Sequence, residues 1–268
     1  MRNQYHHLKI EDIIEHSSNI RSFVFENVFS FESCPGQYVM LWLPGFDEKP
    51  FSLSASDRIT IKKVGDFTEE IFKRLKKFDY LNIRGPYGHG CFPKAEKGVA
   101  IGGGMGIAPL MYLLESDNAN IYTFIAAGKT KDDLIFSDTL NNKASVGRHL
   151  KNFVPVTEDG SYGIKGIVTD VDEKIYLFDS DTSYYVCGRE AMMHAVAEKL
   201  VREGIEPSKI YLSLERYMKC GDTVGCGSCN ISGYSVCSDG PVFSYDKILR
   251  MSDFGKKHRT RSGELVDL

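Results

Sequence analysis

The chain has 268 residues, of which 42% are hydrophobic and 26% are charged, and its formal net charge at pH 7 is −3. This composition is typical of a soluble globular protein and gives no reason to expect nucleic acid or an acidic lipid surface as a partner. No segment approaches the roughly 18 consecutive apolar residues that a membrane-spanning helix needs. We therefore expect a cytoplasmic protein with no membrane segment and with two domains of ordinary size.

Six short β-type segments, separated by turn residues, follow one another between residue 7 and about residue 93. They read HLKIEDIIEH, IRSFVFEN, QYVMLWLP, FSLSAS, RITIKKV and DYLNIRG. This spacing predicts an antiparallel sandwich or a small barrel. One helical stretch, 68–75, interrupts the series. Thr68 is expected as its N-cap because Glu69 and Glu70 then lie in the first turn, where the helix dipole favours acidic side chains.

From Gly98 onward the pattern changes to alternating apolar strands and helices. The segments read GVAIGGG, APLMYLLES, NIYTFIAAG, KNFVPVTEDG, SYYVCG, EAMMHAVAEKLVREG and KIYLSLE. Alternation of this kind predicts a doubly wound parallel sheet with crossover helices on its faces. A block of cysteines follows the last strand. The polar segment 246–268 comes after it and is the part of the chain whose composition suggests disorder.

Two glycine-rich turns each end a predicted strand and open a predicted helix. The first is IGGGMGIAP, residues 101–109, and the second begins at Cys187 and Gly188. A helix N-terminus behind such a turn offers backbone amides and a positive dipole to a phosphate, although a tight turn without a ligand is the plain alternative. Ligands of open α/β sheets lie at the carboxyl ends of the strands, so we expect both turns to line one crevice.

Four of the seven cysteines lie within eighteen residues, with the spacing C-x5-C-x2-C-x7-C. These four are Cys220, Cys226, Cys229 and Cys237. In a reducing cytoplasm clustered cysteines favour a metal over disulfides, but the spacing alone leaves a tetrahedral zinc site and an iron–sulfur cluster open. The remaining cysteines lie far apart in the sequence and are expected to be isolated thiols without disulfide bonds. They are Cys34, Cys91 and Cys187.

The two glycine turns resemble those of the ferredoxin reductase superfamily, in which a flavin-binding barrel precedes a nicotinamide-nucleotide domain. GGGMGIAP is similar to the nucleotide turn of that superfamily, and VCGREAMM is similar to its C-G-P-E-x-M-M turn, with Arg189 where proline is usual. The resemblance implies that the glycines of the first turn approach the nucleotide and that Cys187 and Gly188 border the nicotinamide. The glycines concerned are Gly102, Gly103, Gly104 and Gly106.

Two stretches of the barrel region resemble the flavin motifs of the same superfamily. KPFS stands where the superfamily has R-x-[YF]-[ST], and its lysine keeps the positive charge but loses the bidentate fork of arginine. IKKVGDFT resembles the second motif, with phenylalanine where glycine is usual. An ordinary strand after proline and a solvated lysine pair are the plain alternatives. The resemblance implies contacts to FAD from Lys49, Pro50, Phe51, Ser52, Ile61, Lys62, Lys63, Phe67 and Thr68.

The cysteine block carries the most specific resemblance, which extends over about residues 7–245. The motif E-x-x-M-x-C-G followed by V-C-x-D-G-P-V-F is similar to that of the electron-transfer subunit of two-subunit, NAD-linked dihydroorotate dehydrogenases. It is nearly as similar to that of the flavin subunits of cytoplasmic hydrogenases and of sulfide or ferredoxin oxidoreductases. The first gap between cysteines has five residues where four are usual, so the loop 221–225 is expected to bulge.

This resemblance implies an oxidoreductase subunit that passes electrons from an FMN-containing dihydroorotate dehydrogenase catalytic subunit through a 2Fe-2S cluster and FAD to NAD in pyrimidine biosynthesis. A nicotinamide exchanges two electrons and a 2Fe-2S cluster one, whereas zinc has no redox chemistry, so the resemblance favours iron–sulfur. No side chain of this chain is expected to act as a general base. The alternatives are a hydrogenase, sulfide dehydrogenase or ferredoxin oxidoreductase subunit and a regulatory nucleotide-binding module with structural zinc.

The expected organisation has four parts. A six-stranded antiparallel FAD-binding barrel is expected over 1–97 and an NAD-binding α/β domain over 98–214. A small 2Fe-2S module is expected over 215–245, and a polar tail over 246–268.

Overall fold

The structure, a computed structural model, describes residues 4–26, 32–116, 119–147, 150–176, 179–260 and 262–267. Within these ranges the chain forms a closed barrel, a seven-stranded sheet flanked by helices, and two small two-stranded sheets. No helix in this part of the chain is long and apolar enough to cross a membrane.

An antiparallel barrel forms the N-terminal part of the fold. Its strands are β1 (His6–Ser17), β2 (Ile20–Phe25), β3 (Tyr38–Leu43), β4 (Asp47–Ala55), β5 (Arg58–Lys62) and β6 (Tyr80–Tyr87). They follow the order β1-β2-β5-β4-β3-β6, and pairing of β6 with β1 closes the barrel. Each of the six predicted β-type segments overlaps one of these strands, so the predicted six-stranded barrel is confirmed.

The side chains of β3 alternate between the two faces of the barrel wall, as the two-residue period of a strand requires. Val39 and Leu41 are fully buried in the barrel core. Tyr38 and Met40 point outward and belong to a different core, which the barrel shares with the rest of the chain. The outer face of β3 is therefore a surface on which another part of the protein packs.

The helix α1 (Asp66–Arg74) packs Phe67 and Ile71 into the barrel core. It begins earlier than predicted, because Gly65 is its N-cap and Thr68 is its third residue. The hydroxyl of Thr68 donates to the carbonyl oxygen of Gly65 and accepts from the amide of Val64, both at 2.9 Å. The predicted N-cap at Thr68 is thus wrong. A threonine in the first turn can form hydrogen bonds with the backbone that precedes the helix, and it then satisfies polar groups at the helix start as an N-cap side chain would.

The second part of the fold is a doubly wound sheet. Its helices, and those that follow, are α2 (Ile107–Glu115), α3 (Ser137–Val146), α4 (Glu173–Tyr176), α5 (Glu190–Arg202), α6 (Val236–Asp239) and α7 (Tyr245–Ile248). The remaining strands are β7 (Ala95–Gly103), β8 (Ala119–Gly128), β9 (Asn152–Thr157), β10 (Ile164–Lys165), β11 (Ser183–Cys187), β12 (Ile210–Ser213), β13 (Asn230–Ile231), β14 (Tyr234–Ser235), β15 (Val242–Ser244), β16 (Lys257–Arg259) and β17 (Leu265–Asp267).

The strand order of the large sheet is β10-β9-β8-β7-β11-β12-β15. All neighbouring strands are parallel except β12 and β15, which are antiparallel. Strands β8, β9 and β10 lie in succession on one side of β7, and β11, the next strand in the chain, lies on its other side. Such a reversal of direction opens a crevice at the carboxyl ends of the two central strands, where ligands of this architecture bind.

Both faces of the sheet are buried, which explains the nearly continuous apolar sequence of its strands. In β7, Val99 and Ile101 pack on the face that α5 covers, and Ala100 packs on the opposite face with α2. The same alternation separates Tyr184 from Tyr185 in β11. The predicted parallel sheet with crossover helices is confirmed.

The cysteine segment is an insertion between two neighbouring strands of this sheet. The chain leaves the sheet after β12, passes through the cysteines and the small β13–β14 hairpin, and returns as β15, which pairs with β12. The sheet therefore has a strand inside the segment 215–245, which we expected to form a module of its own. This strand has only three residues, too short for its periodicity to be visible in the sequence.

The segment after β15 is ordered and partly buried, so the expectation of disorder is wrong for its described residues. Tyr245, Ile248, Met251 and Phe254 are each at most 5% exposed and pack into the core beneath α5. These residues recur every three positions, a spacing close to the helical period. Because the residues between them are mostly polar, the segment as a whole has a polar composition. Farther on, β16 and β17 form an antiparallel pair.

A disulfide bond joins Cys34 and Cys91, whose Cα atoms are 5.9 Å apart. The expectation that both are isolated thiols is therefore wrong. The backbone brings them together, because the loop before β3 runs beside the loop after β6, where the amide of Phe92 donates to the carbonyl oxygen of Pro35 at 2.9 Å. Cys187 remains a free, buried thiol, as expected.

Candidate functional site

A cavity of about 670 Å³ lies at the carboxyl ends of β7 and β11. Its volume is in the range of small-molecule and cofactor sites. Both glycine turns line it, and the barrel contributes Lys62 and Val64. The expected crevice shared by the two turns is therefore present. The residues of the turns that line it are Gly103, Gly104, Met105, Gly106, Gly188 and Arg189.

The two turns pack directly against each other through their backbones. A Cβ on Gly106 would overlap the carbonyl group of Cys187 and lie 2.7 Å from the amide nitrogen of Gly188. Gly102 does not line the cavity, and a Cβ there would lie 2.9 Å from the Cα of Ile107, so this glycine serves the packing of the turn. Arg189, in the place of a usual proline, has a φ of −60°, the value that proline itself would fix.

Two titratable side chains lie together beside the second turn. Cys187 is 1% exposed, and its burial, followed by the charge of Glu215, raises the pKa of its thiol. Glu215 lies two residues after the end of β12 and lines the cavity. Solvent reaches its side chain through the open cavity, and desolvation by the surrounding protein raises the pKa of its carboxyl. In the sequence, Glu215 stands out only as the first residue of the motif E-x-x-M-x-C-G. Its position at the carboxyl end of a parallel strand is the signal that could have identified it as a cavity residue.

The lysine pair of the second flavin segment separates in the structure. Lys62 extends toward the cavity and forms an ion pair of 2.9 Å with Asp133 of the sheet domain. Lys63 does not line the cavity, and its ammonium lies 5.8 Å from the centre of the Phe72 ring. Ile61 is fully buried in the barrel core, which leaves its backbone as the part that a cofactor could reach.

The first flavin segment, residues 49–52, lies on β4. The ring of Phe51 packs nearly parallel to that of Phe67, with 6.2 Å between ring centres, so the structure brings the two flavin segments together. Lys49 forms an ion pair with Asp47, and its ammonium lies 5.9 Å from the centre of the Tyr217 ring, near the cysteines.

The other two residues of that segment face the neighbouring strand. Pro50 and Ser52 are paired in register with Met40 and Tyr38 of β3. The side chains of residues 49–52 are all half-buried, a level of exposure that leaves them accessible to a bound cofactor.

The four clustered cysteines are arranged as two pairs. The sulfur of Cys220 accepts hydrogen bonds from the backbone amides of Cys226 and of the loop before it, and the two side chains contact each other. Burial acts to raise the pKa of Cys220, but these hydrogen bonds prevail and lower it to about 6. In the second pair, the Cys237 thiol lowers the pKa of Cys229 to about 7, and the amide of Cys237 donates to the sulfur of Cys229 at 3.4 Å.

This arrangement fits a binuclear iron–sulfur cluster. A 2Fe-2S cluster needs two thiolates on each iron, and the two pairs of cysteines supply them. Three of the thiols are buried and Cys226 is exposed, so the segment encloses one side of the cluster position and leaves the other near the protein surface.

The loop that contains the five-residue gap is held against the outer face of the barrel. Arg84 of β6 donates to the carbonyl oxygen of Cys220 at 3.1 Å. Gly221 follows with a φ of +60°, and a Cβ there would lie 2.9 Å from the Cγ of Met40 and 3.2 Å from Arg84. Thr223 closes the bulge by donating its hydroxyl to the same carbonyl oxygen at 2.8 Å. The longer gap is thus accommodated by a glycine that permits this close approach.

A flavin-type barrel, a doubly wound nucleotide domain and a paired-cysteine insertion define an oxidoreductase of the ferredoxin-reductase fold. Comparisons with known proteins agree with this class. A family profile described as "Oxidoreductase NAD-binding domain" matches residues 100–198. A second, described as "Iron-sulfur cluster binding domain of dihydroorotate dehydrogenase B", matches residues 215–249.

Curated relatives match nearly the whole chain. The chain is 41% identical to a probable dihydroorotate dehydrogenase B (NAD(+)) electron transfer subunit from Pyrococcus furiosus, over 97% of this chain and 98% of the relative. It is 37% identical to a protein of the same description from Methanocaldococcus jannaschii, over 96% of each. The chain belongs to the family of dihydroorotate dehydrogenase B electron transfer subunits. It is accordingly an oxidoreductase subunit for FAD, a 2Fe-2S cluster and NAD.

Solved structures show the same architecture. A structure described as an NADH-dependent reduced ferredoxin-NADP oxidoreductase aligns with a TM-score of 0.72 and 26% identity, over 94% of each chain. A ferredoxin NADP+ reductase from Neisseria gonorrhoeae with bound FAD and NADP aligns with a TM-score of 0.64 over 78% of this chain and 97% of its own. At 19% identity the second likeness concerns the fold alone.

Proposed function

We propose that this chain carries electrons to NAD from an FMN-containing dihydroorotate dehydrogenase catalytic subunit, with which it forms a hetero-oligomer in the cytoplasm. The relatives from P. furiosus and M. jannaschii are named as electron transfer subunits of that enzyme, a description that implies a separate catalytic chain. The FMN of that partner and the cytoplasmic location are predictions from the sequence.

One observation supports this electron path above all others: the barrel contacts both redox sites. On one side, Lys62 and Val64 line the nucleotide cavity. On the other, Arg84 and Met40 hold the loop at Gly221, next to the first cysteine. Both flavin segments lie on the barrel, so FAD bound there would be close to both sites, which supports an electron path through it.

The reaction balances without a general base from this chain. Oxidation of dihydroorotate on the partner releases two electrons and two protons, and NAD+ takes up both electrons with one proton as a hydride. FAD, when bound, can exchange electrons singly or in pairs, while a 2Fe-2S cluster carries one at a time. The catalytic chemistry on dihydroorotate therefore belongs to the partner.

The residues of this chain would position the cofactors. Four thiolates from the two cysteine pairs ligate iron. Lys49 offers a positive charge to the FAD diphosphate, and the aromatic pair Phe51 and Phe67 offers apolar surface. The glycine turns allow the nucleotide to approach the backbone amides at the start of α2 and α5.

The test is to purify the chain anaerobically and record absorbance and EPR spectra before and after addition of NADH. We expect flavin absorbance that bleaches and a rhombic EPR signal of a reduced 2Fe-2S cluster. Cys226→Ser should lose the EPR signal and iron while keeping flavin that NADH bleaches, and Cys187→Ser should keep its iron. A wild-type protein without flavin bands or without the rhombic signal contradicts the proposal, and zinc without iron favours the regulatory module.

A second candidate keeps the cofactors and changes the partner to a ferredoxin-linked, sulfide dehydrogenase or hydrogenase complex. The likeness to the ferredoxin-NADP oxidoreductase structure over 94% of the chain favours it, as does the compact spacing from Cys229 to Cys237. The higher identity, 41%, to the dihydroorotate dehydrogenase subunits favours the first. Co-purification from native cells separates the two, because a dihydroorotate-oxidising chain supports the first and a nickel or multi-cluster chain supports the second.

A further inference from the structure

Tyr38 is the first residue of β3 and lies between the flavin segment and the cysteine loop. It is paired in register with Ser52 of β4. Side chains of directly paired residues lie on the same face of a sheet, so Tyr38 and Ser52 share the outer face of the barrel. That face packs against the cysteine segment, because a Cβ on Gly221 would lie 2.9 Å from the Cγ of Met40, and Tyr38 belongs to the same buried core as Cys229 and Cys237. The phenol of Tyr38 therefore belongs to the surroundings of the cluster.

The hydroxyl of Tyr38 is unpaired within the described part of the chain. The residue is 2% exposed, and its oxygen makes no hydrogen bond to any residue that the structure describes. Leaving a buried hydroxyl unsatisfied costs about 1–3 kcal/mol, so such groups normally have a partner. Other buried tyrosines follow this rule: Tyr185 donates to the carbonyl oxygen of Pro93 at 2.9 Å, and Tyr87 accepts from Arg84. The exception at Tyr38 points to an acceptor that is not part of the polypeptide.

The surroundings of the Tyr38 ring indicate the acceptor. Its ring centre lies 5.7 Å from that of Tyr87, and a Cβ on Gly221 of the cysteine loop would lie 3.1 Å from the Tyr87 ring. The buried core that contains Tyr38 also contains Cys229 and Cys237. A phenol hydroxyl is a hydrogen-bond donor, and hydrogen bonds to sulfur are among the factors that set the reduction potential of an iron–sulfur cluster.

We propose that the hydroxyl of Tyr38 donates a hydrogen bond to a sulfur atom of the 2Fe-2S cluster and thereby stabilises the reduced cluster. This inference rests on the proposed function, since it requires the cluster to be bound. The reduced cluster carries one more negative charge than the oxidised one, so a donor favours the reduced form and raises the potential. Tyr38 thus makes the cluster a better acceptor for electrons that arrive from the partner.

The experiment is an EPR-monitored redox titration of the anaerobically purified full chain. Tyr38→Phe keeps the ring and removes the hydroxyl. It should shift the reduction equilibrium of the cluster about three- to tenfold toward the oxidised form, where tenfold corresponds to 59 mV for a one-electron couple. In D2O, pulsed EPR of the reduced cluster should show an exchangeable deuteron that is missing in Tyr38→Phe. The matched control is Tyr185→Phe, which removes another buried hydroxyl and should leave the potential unchanged.

A second substitution keeps the test decisive if Tyr38→Phe does not retain its cluster. Difluorotyrosine introduced at position 38 by amber suppression is a stronger donor of nearly the same size, and it should move the equilibrium toward the reduced form. An unshifted potential in every variant that retains the cluster overturns the inference and leaves the proposed function intact. A wild-type chain that binds no 2Fe-2S cluster overturns both.

Discussion

The guanidinium of Arg84 donates a hydrogen bond of 3.1 Å to the carbonyl oxygen of Cys220, 136 residues further along the chain. The same guanidinium binds both carboxylate oxygens of Glu48 at 2.6 Å, and the two side chains are 10% and 17% exposed. A strand of the barrel is thereby joined to the first cysteine of the cluster loop. Two parts of the fold that are distant in sequence thus meet through a buried, paired charge.

Arg84→Gln is expected to weaken both the fold and the cluster loop. The substitution leaves the half-buried carboxylate of Glu48 without its cationic partner and with only the hydroxyl of Tyr5 as a donor among the described residues, at 2.8 Å, so the free energy of unfolding should fall by about 1–3 kcal/mol. It also removes a donor to the Cys220 carbonyl, so iron should be lost more readily. Chemical denaturation and iron quantitation measure the two effects.

The control for this prediction is Arg74→Gln, which breaks the solvent-exposed ion pair of Arg74 with Glu70 on α1. Exposed pairs of this kind contribute little, so stability and iron content should stay at the wild-type level. An Arg84→Gln protein with wild-type stability and full iron content would show that the contact to Cys220 has no structural role.

Gly106→Ala is expected to separate the two glycine turns and weaken binding of NADH. A Cβ at this position meets the backbone of Cys187 and Gly188, which cannot move aside as a flexible side chain could. Gly204→Ala is the matched control, because Gly204 lies outside the cavity lining and a Cβ there has nothing within 4 Å, so it meets only the strain of a φ of +89°, about 1 kcal/mol. Titration of NADH binding should show a large loss for Gly106→Ala and a small one for Gly204→Ala. Equal losses contradict the assignment of Gly106 to the contact between the turns.

Local sequence patterns were sufficient to predict the barrel and the parallel sheet. Within each of the predicted segments, the period of the apolar side chains indicates whether the segment is a strand or a helix and which of its faces is buried. Gly106 and Gly188 were predicted to share a crevice because the carboxyl ends of parallel strands meet at one edge of a sheet. In each case the inference needed no knowledge of which distant residues touch.

The features that sequence analysis missed depend on contacts between distant segments. Arg84 is an ordinary polar residue of a β-type segment until Glu48 and Cys220 are brought beside it. Cys34 and Cys91 are far apart in sequence, and the barrel loops decide that they meet. Tyr38 begins an apolar strand, and its strand pattern shows that it is buried without showing that its hydroxyl lacks a partner among the described residues. Spacing along the chain contains none of this information.

Acidification below neutral pH is expected to destabilise the protein through His16. Its ring is packed against Phe136 of the sheet domain and hydrogen-bonded to Ser22 at 2.8 Å. Burial, and then the charge of Arg58, lower the pKa of His16 to about 4. Because the unfolded chain takes up a proton near pH 6.5 and the folded protein does not, this contribution is complete above pH 6.5 and is lost as the pH falls toward 4.

The measurement is the melting temperature, followed by circular dichroism, at pH 7.5, 6.0 and 5.0. The wild type should lose stability over this range, and His16→Gln should lose distinctly less because it has no imidazole to protonate. His7→Gln, which alters an exposed ring on β1, serves as the control and should retain the wild-type dependence. Parallel curves for wild type and His16→Gln would assign the pH dependence to other groups.

Reduction of the Cys34–Cys91 disulfide is expected to lower the stability of the barrel region. The bond joins residues 57 positions apart, and a cross-link of this length restricts the unfolded chain enough to contribute about 2–4 kcal/mol. Denaturant unfolding of the wild type should therefore shift to lower concentration when a phosphine reductant is present. Cys34→Ser should already unfold at that lower concentration and should not respond to the reductant. If Cys34→Ser still responds, the sensitivity comes from the cluster cysteines rather than from the disulfide, and iron quantitation of the same samples identifies that case.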